Sequence, residues 1–211
     1  MNKIIVYTTN LGGYDDLHES PKVLFNNRDK FRYLYYTDGE APAGWEKMEM
    51  PSGGRKESRF YKINSHLLPE HNISIYLDAS YEFKKPIKVL PEFLGSRDIA
   101  ICPHPHETLE KHANVCIALG LDTEKNIRPQ VERYKGLIST PLTENSLIIR
   151  KNNATIKELN ELWWKEYQAG SCRDQISLPY ALSMTGARLK VLPFSARENK
   201  WLGNWCKHKI K

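Results

Sequence analysis

Cysteine is scarce in this chain: four residues among 211, at positions 102, 116, 172 and 206, with no Cys-x-x-Cys pair. That excludes a disulfide scaffold and a cysteine-cluster metal module, and it reads as reduced thiols in a cytoplasmic protein. Long apolar runs are missing too. None approaches the roughly 20 residues of a membrane-spanning helix, so no membrane role is expected. The opening MNKIIVYTTN carries only a short apolar run, too brief for a signal-peptide core, and reads as a first strand. There is no P-loop, no G-x-G-x-x-G and no G-x-S-x-G. Without repeats, low-complexity tracts or Gly/Ser linkers, nothing forces a boundary, and 1–211 reads as a single domain.

What is present is charge and aromatic surface. Lys and Arg number 31 against 25 Asp and Glu, a formal surplus of +6, and there are 5 Trp, 11 Tyr and 6 Phe. A surplus of this size fits an anionic ligand such as a nucleotide, a nucleic-acid partner, or merely a basic surface. At 211 residues the chain can bury a core without a staple.

Apolar β-branched and aromatic runs alternate with helical patterns, which predicts an α/β fold with a largely parallel sheet. Strands are expected at 3–9, 32–37, 73–77, 98–102, 146–150 and 188–192. One helix is expected over 55–68, with Phe60, Ile63 and Leu67 on an apolar face and Arg55, Arg59 and Lys62 on another. A second should start at Thr155, where Thr-Ile-Lys-Glu forms a capping box, and end near Gly170, with Ile156, Leu159, Trp163 and Tyr167 as its core stripe. A third should cover 174–184 and stop at Gly186. One or two more are expected between 107 and 134.

Ligands of open α/β sheets sit beyond the carboxyl ends of the strands, so polar strand ends come first. Ile73–Ser80 delivers Asp78 and Ser80 to such an end, on one side. The pair suits a divalent ion bridging a diphosphate, with Ser a weaker or water-mediated ligand; the alternative is an Asp that ends a strand and caps a turn. Arg59 and Lys62 on the preceding helix either fork onto phosphate oxygens or form a solvated face. In Cys102–Glu107, His104 is a substrate-contact candidate, and His106 and His112 read as surface residues. Zinc is not expected there, because two prolines interrupt the segment and Glu stands at 110. Asp174 opens a helix and is either a cap or a functional acid, and Arg173 and Gln175 flank it. The tail from Lys200 to Lys211 holds four lysines, His208 and two Trp. It suits phosphate contacts and base stacking, or is a frayed terminus.

In order, the stretches VYTTNLGGYDDL, YYTD, SRFYKINSHLLPEHNISIYLDAS, CPHP, YKGLISTPLTENSLIIRKNN, LNELWWKEY and SCRDQISLPY resemble the MUCI-type glycosyltransferase-like family of plants, bacteria and phages. The resemblance covers nearly the whole chain. It implies a GT-A, Rossmann-like fold: a mostly parallel twisted sheet flanked by helices, with the tail from about 195 to 211 folding back over the donor site. It further implies a metal-dependent transfer from a nucleotide sugar, a UDP-sugar and possibly UDP-arabinose, to a hydroxyl acceptor. Thr8 and Asp38 would lie near the nucleoside, and Arg59 and Lys62 near the phosphates. Asp78, Ser80 and His208 would hold Mn²⁺ or Mg²⁺. His104, Glu144, Arg150, Trp164, Arg173 and Gln175 would line the sugar and acceptor side, with Asp174 as the acidic catalytic residue. Copies of this size resemble phage enzymes acting on hydroxymethylated cytosine, which makes DNA the expected acceptor. A glycan acceptor, or a non-catalytic nucleic-acid-binding module on the same fold, is the alternative.

Overall fold

Ile4–Asn10 is buried along its whole length, a pattern that suits a strand covered on both faces. The computed structural model describes residues 3–15, 19–21 and 31–203, without the side chain of Arg55. It places this strand, β1, inside a seven-stranded sheet of order β3-β2-β1-β4-β7-β6-β8. The other strands are β2 (Arg32–Thr37), β3 (Glu46–Glu49), β4 (Ile73–Leu77), β6 (Ile99–Pro103), β7 (Thr143–Lys151) and β8 (Leu189–Val191). Neighbours pair in parallel except at β7, which runs against both β4 and β6. The first residues of β7 therefore lie at the edge where the other strands end. A small antiparallel pair, β5 (Glu82–Phe83) with β9 (Leu202–Gly203), stands apart.

The alternation of β1 sends its side chains to two cores. Ile5 and Tyr7 join Tyr76, Ile148 and the stripe Ile156, Leu159, Trp163 and Tyr167 on one face. Ile4 and Val6 join Ile75, Leu77, Ile149 and Leu202 on the other. The first face is covered by α1 (Arg55–Ile63), α4 (Ala154–Ala169) and α5 (Asp174–Thr185). A third cluster, with Ala113, Cys116, Ile127 and Ile176, packs α2 (Leu109–Ala118) and α3 (Glu124–Tyr134) against α5. This is the expected α/β, GT-A-like arrangement: one mostly parallel sheet with flanking helices.

Several boundaries differ from expectation for local reasons. The helix expected over 55–68 stops at Ile63, where Asn64 closes it with its side-chain amide on the Phe60 carbonyl (2.9 Å), and Ser65–Leu67 is a 3₁₀ turn. Leu68 precedes Pro69, a position that disfavours helix, and is extended. Leu67 is consequently 54% exposed rather than on the apolar face. α4 is capped by Asn153, whose side chain accepts the Ile156 amide (2.9 Å), not by a box at Thr155. β3 was not expected; it is an edge strand of largely exposed charged residues with no apolar alternation to announce it.

Candidate active site

The strand ends, the start of β7, one face of α1 and the entry into α5 border a cavity of about 550 Å³. Five segments furnish its most polar wall. β1 contributes Thr9 and Asn10, α1 contributes Arg59 and Lys62, and the turn after β4 contributes Asp78 and Ser80. Glu144 comes from β7, and Arg173, Asp174 and Gln175 from the entry into α5. The volume falls within the range of small-molecule sites, roughly 300–1,000 Å³.

Arg59 and Lys62 are one helical turn apart, which puts them on one face of α1. The Lys62 ammonium lies 3.1 Å from Asp78 Oδ1 and 3.1 Å from Asp174 Oδ2. Arg59 Nε lies 3.6 Å from Asp174 Oδ1. Asn145 donates to Asp174 Oδ2 (3.2 Å), and the Tyr76 hydroxyl donates to Asp78 Oδ1 (2.7 Å). Burial opposes ionisation of Asp174, yet the adjacent Lys62, Arg59 and Arg173 hold its carboxyl well below the usual range. Two donors have no such match. The Nε–H groups of Arg59 and Arg173 are buried without a hydrogen-bond partner, and an unmet buried donor costs about 1–3 kcal/mol.

Glu144 has a different environment. Its Oε1 accepts the Ser146 hydroxyl (2.7 Å) and its Oε2 the Gln175 amide (3.0 Å). Burial raises its pKa, and the negative charges of Asp78 and Asp174 push the same way against the Ser146 bond. Across the cavity His104, His106 and His112 cluster, with ring centroids 4.4 to 5.8 Å apart. Burial chiefly depresses the basicity of two of them, to about 3 for His104 and about 4 for His112, so both are neutral imidazoles at pH 7.

The entry into α5 is held from a distance. Asp122, in the α2–α3 connection, accepts the Ser171 hydroxyl (2.6 Å) and the Cys172 amide (2.7 Å) on one oxygen. Its other oxygen takes the Thr123 amide and the Asn126 side chain. Trp163 Nε1 then donates to the Asp174 carbonyl at 3.0 Å. Asp174 is the first residue of α5 and makes no side-chain cap; its side chain is taken by the cations.

Of the residues expected at the site, Arg59, Lys62, Asp78, Ser80, His104, Glu144, Arg173, Asp174 and Gln175 line the cavity. Four do not. Thr8 points to the opposite face of β1 from Thr9, and its hydroxyl is buried there without a partner; a one-residue step in a strand changes the face. Asp38 accepts the Gly12 amide (2.9 and 3.2 Å) and so fixes the loop after β1, whose Leu11, Tyr14 and Asp15 reach the wall. Arg150 is wholly buried beneath the site, hydrogen-bonded to Tyr7, Asn160 and the Lys62 and Ile63 carbonyls at the end of α1. Trp164 faces away, stacked on Tyr167 and edge-on to Phe60. His208 lies outside the described residues, as do 204–211 of the tail. Residues 202–203 of the described part pair with β5, and Arg197 reaches the cavity wall.

Some residues of the wall and of its support were not expected there. His112 is buried and His106 half-buried rather than on the surface, because α2 packs its His112 face against the site. Tyr76 sits two residues before Asp78 on the same side of β4, a spacing that could have revealed it. Nothing local marks Asn145 or Asp122.

Among the described residues no three His, Cys, Asp or Glu side chains group so as to hold a metal ion. Asp78 and Ser80 still offer a carboxylate and a hydroxyl on one wall. That hard-oxygen set fits Mg²⁺ or Mn²⁺, ions bound by one or two carboxylates together with substrate phosphates rather than by all-protein cages. Among the described residues no helix is long and apolar enough to cross a membrane.

A family model described as TOD1/MUCI70, glycosyltransferase-like domain, matches residues 51–208. No curated protein matches the chain.

Proposed function

Since the chain belongs to the TOD1/MUCI70 glycosyltransferase-like family, we propose that its cavity binds a nucleotide sugar and that the protein transfers the sugar to a hydroxyl acceptor. The observation that carries this reading is the cationic pair on α1, Arg59 and Lys62, which lines the cavity at the strand ends beside Asp78. A diphosphate is the ligand chemistry that such donors recognise.

Sugar transfer requires that charge developing on the departing diphosphate be neutralised. Arg59 and Lys62 supply fixed positive charge there, and Asp174 holds both in place. Asp78 and Ser80, with His208 of the tail, would hold a divalent cation, Mn²⁺ or Mg²⁺, whose contribution when bound is Lewis-acid neutralisation of the same oxygens. The neutral His104 and His112, with His106 beside them, line the cavity and suit sugar hydroxyls. The donor in this reading is a UDP-sugar, UDP-arabinose being the first to try.

For the acceptor we favour DNA carrying hydroxymethylated cytosine. Lys84, Lys85, Lys88 and Lys200 are exposed, and Lys200 lies over the Trp201 ring at 5.4 Å. Lys84 adjoins this corner, its backbone amide donating to the Trp201 carbonyl (2.8 Å). Basic side chains around an aromatic suit a phosphate backbone with unstacked bases.

The test is release of UDP from a panel of UDP-sugars with hydroxymethylcytosine DNA, unmodified DNA or a glycan as acceptor. Release stimulated by the modified DNA and lost in Asp78→Ala is expected. Equal release from both proteins would overturn the site. Turnover with glycans and indifference to DNA would replace the acceptor. Salt-sensitive DNA binding without turnover would make the protein a binding module.

A further inference from the structure

We propose that Glu144, and not Asp174, takes the proton of the acceptor hydroxyl; the assignment rests on the transferase reading above. Both carboxylates line the cavity, and what separates them is the charge of their partners. Asp174 is gripped by Lys62 at 3.1 Å and Arg59 at 3.6 Å. A proton arriving on Asp174 would leave Arg59 without its counter-ion and Lys62 with Asp78 alone, a costly state for largely buried cations. Glu144 accepts hydrogen bonds only from neutral groups, the Ser146 hydroxyl and the Gln175 amide. Of its charged neighbours, Asp78 and Asp174 repel its ionised form, and Lys62, already paired with both of those carboxylates, attracts it. A proton arriving there relieves that repulsion and breaks no ion pair. General bases work best when their affinity for protons approaches the working pH, and burial moves Glu144 in that direction.

Its place in the fold fits the task. β7 runs against its neighbours, so Glu144 stands at the strand-end edge, two residues before Ser146, whose carbonyl accepts the Asp78 amide at 2.8 Å. The base and the diphosphate site thus share one wall. In the step, the acceptor oxygen attacks the anomeric carbon while the bond from that carbon to the diphosphate oxygen breaks. The electron pair of the breaking bond leaves with the diphosphate. The hydroxyl proton passes to Glu144, and the new sugar–oxygen bond completes the product. A single displacement of this kind inverts the anomeric centre. Asp174 is a positioning residue in this scheme.

The experiment measures UDP release across pH for wild type and Glu144→Gln, UDP affinity by calorimetry, and the product anomer by NMR. Glu144→Gln is expected to keep its UDP affinity and to lose rate by about 100- to 10,000-fold. Its acid limb in the pH profile disappears, and the wild-type product is inverted. A variant rate close to wild type, an unchanged acid limb, UDP affinity lost in step with rate, or a retained anomer overturns the assignment while leaving the transferase reading intact. A wild-type protein that releases no UDP from any donor overturns that reading, and the assignment with it.

Discussion

The ammonium of Lys62 lies 3.1 Å from Oδ2 of Asp174, and the two side chains are only 2% and 7% exposed. Taking charges so far out of water is tolerable because they pair, and removing Asp174 leaves Arg59 without its carboxylate and Lys62 with Asp78 alone. Asp174→Asn is therefore expected to cost about 3–5 kcal/mol in urea unfolding. A loss below about 1 kcal/mol, as for a surface pair, would contradict the pairing.

The same carboxylate sets an acid limit on stability. Its folded pKa is depressed, by Lys62, Arg59 and Arg173 against the opposing effect of burial. A depressed carboxylate contributes fully above its unfolded value, about 3.9, and that contribution is lost as pH falls towards the folded value. Wild type should lose stability below about pH 4, and Asp174→Asn should show a flatter acid dependence. Parallel acid profiles for the two proteins would refute this.

Glu144 carries the opposite sign. Burial raises its folded pKa, so the group favours the folded state below the unfolded value of about 4.3 and costs stability as pH rises through the folded value. Glu144→Gln is expected to melt higher than wild type at pH 8, with the gap closing towards pH 4. Calorimetry at the two pH values decides it, and a variant that melts lower at pH 8 contradicts the environment described.

Asp122 acts on the site without touching it. Four donors converge on its two oxygens, and hydrogen bonds from Ser171 and Asn126 lead in lowering its pKa to about 2 against the effect of burial. Asp122→Ala should cost about 1.5–3 kcal/mol, the range for hydrogen bonds to a charged group. It should also weaken nucleotide binding, because residues 171–173 lead into the start of α5. Unchanged affinity in calorimetry would separate Asp122 from the site.

Arg150→Met tests a correction. With Tyr7, Asn160 and two carbonyls losing their donor, the variant should be less stable by several kcal/mol, about 1–3 for each stranded group. A folded variant with normal stability and a specific loss of acceptor affinity would return Arg150 to the cavity.

Legibility in the sequence followed how local the determinant was. β2 and β4 have the bounds that their β-branched and aromatic runs imply, and α5 begins at Asp174 as its composition suggests. Asp78 and Ser80 emerge together because a strand end and a spacing of two residues suffice to place them. Thr8 and Thr9 differ only in which face of β1 each occupies, and that choice depends on packing partners far away in sequence. The depth of Arg150 and the orientation of Trp164 depend on how α4 docks, which no local pattern encodes. Asp122 reaches across to Ser171 from a different helix connection, and its partners are visible only once α2, α3 and α5 have packed.

The central claim is that the cationic pair on α1 receives a diphosphate in the cavity. Calorimetric titration of UDP into wild type and into Arg59→Gln measures it most directly. The account predicts saturable binding to wild type that is weakened at least about tenfold in the variant, the loss of one charge-assisted contact. UDP that binds both proteins equally, or neither, would contradict it.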